Sequence, residues 1–72
     1  SLISIADGAL AQMSNVLTRM AELSEQSANG IFATTQRSAL QNEFLALGSE
    51  IERIAVTTTF NGLNLLSGGA QI

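Results

Sequence analysis

The chain has 72 residues, 46% of them hydrophobic, and sets three arginines against six carboxylates for a formal net charge of −3. Cys, His, Pro, Trp, Tyr and Lys are absent, which excludes disulfides, Cys/His zinc sites, thiol nucleophiles and imidazole general-base chemistry. Arg19, Arg37 and Arg53 are too few and too scattered for a nucleic-acid footprint or a basic membrane-surface helix, and no apolar run approaches the roughly 20 residues of a membrane span. At this size one core supplies only about 3–5 kcal/mol, so a chain without staple or metal leans on a partner. Residues Ser1 to Leu10 show no charged leader and no cleavage site, and they open inside an amphipathic pattern without a capping box. The chain therefore reads as a piece of a longer protein.

Ile3, Ala6, Leu10, Met13, Leu17 and Met20 step by three and four, the spacing of a helical seam. Leu2, Ala9, Val16 and Leu23 repeat every seven beside it and widen the apolar face. Gln12, Asn15, Thr18, Glu22 and Glu25 occupy the other side. This pattern predicts a helix over about 1–28, with Ile3, Leu10, Met13, Leu17 and Met20 in its packing core. Gly8 weakens it by about 1 kcal/mol relative to Ala. Asn29-Gly30 is a stop signal that suits a left-handed residue after the last turn. The loop, 29–35, carries Ile31 and Phe32 as apolar pins, and Thr34 or Thr35 is placed to cap a second helix.

Leu40, Phe44, Leu47, Ile51 and Ile54 step four, three, four and three, and Gln41, Asn42, Glu43, Ser49, Glu50, Glu52 and Arg53 are polar. That second helix is expected over about 36–55 with those five residues as its core. It is expected to fold back antiparallel on the first. "VTTTFNGLNLLSGG" then turns β-branched, a composition that prefers extended backbone, and Asn61-Gly62 between apolar residues is a strong short hairpin signal. The predicted class is mainly α: two amphipathic antiparallel helices of a helical-bundle or coiled-coil domain. An extended turn over 56–72 would come next, leading to a truncated β-hairpin. Two helices can hide one seam between them. The wide face of the first and the apolar tail at Phe60, Leu63, Leu65 and Leu66 need cover from elsewhere.

No catalytic constellation emerges. Glu50 and Glu52 diverge around a helix, and Glu22 with Glu25 fits a solvated helix surface better than a carboxylate pair. The glycines lack phosphate-loop spacing. Arg19 with Glu22 or Glu25, and Arg53 with Glu50, suit weak surface ion pairs. Neither enzyme activity, a cofactor nor a metal site is expected.

In order along the chain, "ADGAL", "LTRMAELSEQSANG", "RSALQNEFLALGSEIERIA" and "TTTFNGLNLLSGG" resemble the N-terminal conserved region of bacterial flagellin. The tail pattern "EIxRIAxTTxFNGxxLL" is the most specific piece, and the likeness spans essentially the whole chain. The resemblance implies a structural subunit of the extracellular flagellar filament, exported by the flagellar type III system. Its partners would be a C-terminal helix of the same parent subunit and other subunits in a helical homopolymer. A hook–filament junction protein, or another secreted self-associating helical assembly, is the alternative. The resemblance also implies that Arg19, Leu23, Gln26 and Glu43 form the surface recognised by the vertebrate toll-like receptor for flagellin. The chain departs from the family segment at Ala21 and Glu25, which changes the charge of that surface.

Overall fold

The computed structural model describes residues 1–70, with side chains for residues 1–68. The first helix, α1, runs Leu2–Asn29. Ser1 caps it alone, its hydroxyl oxygen accepting the Ser4 backbone N–H at 3.2 Å. At the other end the Asn29 side-chain amide donates to the Glu25 carbonyl at 3.0 Å, and the Gly30 N–H donates to the Gln26 carbonyl at 3.0 Å. Gly30 ends the helix in extended backbone, φ −104° and ψ 157°, not in the left-handed conformation expected of it. Space explains the glycine better than handedness. A Cβ there would collide with the Phe32 ring and lie 3.0 Å from the Gln26 carbonyl oxygen. Phe32 is half-buried over that turn, whereas Ile31 is 103% exposed and pins nothing.

The second helix, α2, runs Thr34–Ala70. Neither Thr34 nor Thr35 precedes it as a cap; both lie in its first turn. Gln36 does the capping, its Oε1 accepting the Ala33 N–H at 2.9 Å as the third helical residue of a capping box does. The Arg37 N–H closes the first turn on the Ala33 carbonyl at 3.0 Å.

α2 does not stop near residue 55. Residues 56–70, expected to be extended, continue as helix. Val, Thr, Phe and Asn each cost only about 0.7 kcal/mol or less relative to Ala in a helix, whereas each further residue adds a hydrogen bond to a ladder already nucleated. Thr59 turns its hydroxyl inward, donating to the Ala55 carbonyl at 2.9 Å. Thr58 and Gly62 are half-buried, and the position a Gly62 Cβ would take lies 3.4 Å from Leu2 Cδ1. The truncated β-hairpin expected to follow lies outside the described residues.

The helices pack antiparallel. On α1 the seam uses Ile5, Ala9, Met13, Val16, Met20, Leu23 and Ser27; on α2 it uses Leu40, Phe44, Leu47, Gly48, Ile51, Ile54, Thr58 and Gly62. All are half-buried except Leu23 and Ile54, which are 2% and 3% exposed. Ile3, Leu10 and Leu17, expected in the core, are 74%, 63% and 55% exposed. The apolar stripe of α1 is wider than one neighbour can cover, so the helix is rotated to present the Ala9–Val16–Leu23 row and leaves the Ile3–Leu10–Leu17 row outward. Met13 and Met20 border both rows.

Candidate interaction surfaces

The closest polar link between the helices is Arg19 on α1 with Glu43 on α2. Arg19 Nε donates to Glu43 Oε2 at 2.9 Å and Nη2 donates to Glu43 Oε1 at 3.3 Å, a two-pronged grip. Nη1 adds a bond to Glu22 Oε2 at 3.3 Å, one helical turn along. The guanidinium is held above its ordinary range, chiefly by the hydrogen bond to Glu43 and then by that carboxylate's charge. On α2, Arg53 grips Glu50, with Nε donating to Oε2 at 3.0 Å. That bond lowers the Glu50 carboxyl below its ordinary value.

Arg19 and Glu43, expected on one surface, are thus brought together and exposed, and Gln26 is exposed as well. Leu23 is different. Expected on that same surface, it is instead the most buried side chain described. The residues at i+4 and i+7 from Arg19 are not equivalent here. Leu23 turns into the seam beside Leu40 and Phe44, and Gln26 stays outside.

Three surface features surround this link. At the loop end an open groove of about 320 Å³ has Leu23, Leu40 and Phe44 for its floor and Ser24, Ser27 and Arg37 on its walls. On α1 the outward row Ile3, Leu10 and Leu17 is exposed. On α2, Val56, Phe60 and Leu63 form a second exposed apolar row, bordering a shallow depression of about 390 Å³ with Ala55 and Thr59. Sequence reasoning missed that last row as a helical face. Its signal was present, since 56, 60 and 63 step four and three, but the β-branched residues between them pointed to extended backbone. Among the described residues, no helix is long and apolar enough to cross a membrane, and no group of three metal-ligating side chains is gathered. The surfaces are chemically suited to packing against other apolar helices, with charged pairs at their margins.

Two antiparallel amphipathic helices with uncovered apolar rows define a helical packing module. The family model for the bacterial flagellin N-terminal helical region matches residues 1–71, and the chain belongs to that family. It is 47% identical over 68 residues to polar flagellin F of Vibrio parahaemolyticus, to flagellin B of Vibrio anguillarum and to flagellin D of Vibrio cholerae. In each case 94% of this chain is covered but only 18% of the relative, so the chain spans under a fifth of the length of these curated relatives. No solved structure matches it.

Proposed function

We propose that the chain is the N-terminal helical part of a flagellar filament subunit, with a structural and not a catalytic role. The observation that carries this reading is the pair of uncovered apolar rows, Ile3–Leu10–Leu17 and Val56–Phe60–Leu63, on a chain of the flagellin family. A helix pair does not leave two such rows in water without a use for them. In this reading a C-terminal helix of the same parent subunit and neighbouring subunits take them up. A contact that is not self-complementary then propagates into an open helical array. Export by the flagellar type III system and an extracellular location belong to the same reading. The curated relatives named above are all flagellins, which favours a filament subunit over a hook–filament junction protein. Leu10→Asp and Leu17→Asp in the full-length parent chain should leave secreted subunit in the medium and abolish filaments. Normal filaments by electron microscopy, with unchanged swimming, would overturn the assignment of the α1 row to assembly.

A second reading concerns the toll-like receptor for flagellin. It is favoured by one observation, the exposed Arg19–Glu43 pair with Gln26 nearby, and Leu23 would support that surface from beneath. Arg19→Ala in the full-length monomer should lower receptor signalling in a reporter cell. An unchanged dose–response curve would dismiss this reading and leave the filament role untouched.

A further inference from the structure

We propose that Met13 and Met20 form a modification site through which a peroxide-class oxidant uncouples the two helices. The chain contains no Cys, His, Trp or Tyr, so these two thioethers are its only side chains readily oxidised by a two-electron oxidant. Both sit on the α1–α2 seam, seven residues apart, and both are half-buried, neither sealed from solvent nor free of the contact. Met20 reaches across to α2, its Cε 4.0 Å from the place a Cβ of Gly48 would occupy. That residue is half-buried and leaves room for the methionine end. The seam has little in reserve, because among the described residues only Leu23 and Ile54 are fully buried.

The chemistry balances simply. The thioether sulfur attacks one peroxide oxygen, the S–O bond forms as the O–O bond breaks, and hydrogen peroxide is reduced to water. The product sulfoxide is polar and less pliable than the thioether it replaces. At the seam the Met20 sulfoxide would sit beside Gly48, where its oxygen is either buried against the apolar contact at a desolvation cost or turned out to water at the cost of the packing. Either outcome weakens the contact between the helices, and a sulfoxide reductase reverses it.

The test uses the full-length subunit as secreted, in monomeric form, treated with hydrogen peroxide. Peptide mass analysis reads oxygen addition at each methionine, and amide hydrogen exchange reads the coupling of α1 with α2. We expect oxidation at both positions and amide exchange in both helices faster by tenfold or more, reversed by methionine sulfoxide reductases A and B together, one for each sulfoxide epimer. A Met13→Leu/Met20→Leu variant, which nearly conserves volume, should exchange in α1 and α2 like the untreated protein with or without peroxide. Exchange unchanged after both sulfoxides have formed overturns the proposal. So does an equal response in the double variant, or resistance of both methionines under conditions that oxidise a free methionine peptide. Reductase reversal on the unaltered chain decides the matter if the double variant fails to fold. None of these readouts depends on filament formation.

Discussion

At the scale of residues, one position separates a core side chain from a surface one. Leu23 is sealed in the seam while Leu17, six residues earlier and so one position off the seven-residue row of Val16 and Leu23, is more than half exposed. Leu23→Ala should cost about 2–5 kcal/mol in chemical denaturation, as truncations of sealed leucines do. Leu10→Ala should leave the helicity of the isolated helix pair at low concentration unchanged. A loss for Leu10→Ala in the full-length subunit would report the covering helix proposed above. The charged pairs contribute through pH. Because Arg53 lowers the Glu50 carboxyl in the folded chain, the unfolded chain binds the proton more readily. The stabilisation is therefore complete above the ordinary glutamate value and is lost as pH falls through the depressed one. Helicity followed by circular dichroism from about pH 7 down to about pH 3 should show a small acid loss that Glu50→Gln lacks. The same loss in both chains would mean that the pair contributes nothing.

At the scale of elements, α2 contains two kinds of helix. From Thr34 to about Ala55 the apolar spacing, the capping glutamine and good helix formers all favour it. Beyond that, Thr57 to Thr59, Asn61, Gly62 and Gly68 are poor helix formers, and Leu2, which marks the start of α1, already lies against Gly62. The residues after Gly62 run past the end of α1, and Leu63 and Leu66 are exposed there. Gly62→Ala should add about 0.8–1.0 kcal/mol to the helical form, since the new methyl meets Leu2 at ordinary contact distance. Hydrogen exchange of amides 58–66 should slow accordingly, and a faster exchange would show that this segment is not helical in solution. The continuation was hidden from the sequence because propensity is a weak local signal, while a running hydrogen-bond ladder and an opposing helix are not local.

At the scale of the whole molecule the shape is a rod of 59 × 16 × 9 Å with a radius of gyration of 17.0 Å. A compact chain of this length would have a radius of gyration of about 11 Å. A rod of two helices buries little, which is why two side chains make up the sealed core among the described residues. The 72-residue chain in isolation should melt broadly by circular dichroism and associate as concentration rises. A sharp melt independent of concentration would show that the pair is self-sufficient and that its exposed rows are not partner sites.

Periodicity by itself determined that there are two amphipathic helices, where the break between them falls, which face of the second is apolar, and that more apolar surface exists than two helices can hide. Those properties are written in spacings of three and four, which any helix must obey. Tertiary packing decided the rest. It turned α1 so that Leu23 went inward and Ile3, Leu10 and Leu17 outward. It joined Arg19 to Glu43 across the seam, and it carried α2 through a segment whose composition favours extension. Each of these depends on which neighbour a side chain meets, and a one-dimensional pattern that is apolar over a wide stripe does not say which part of the stripe the neighbour will choose.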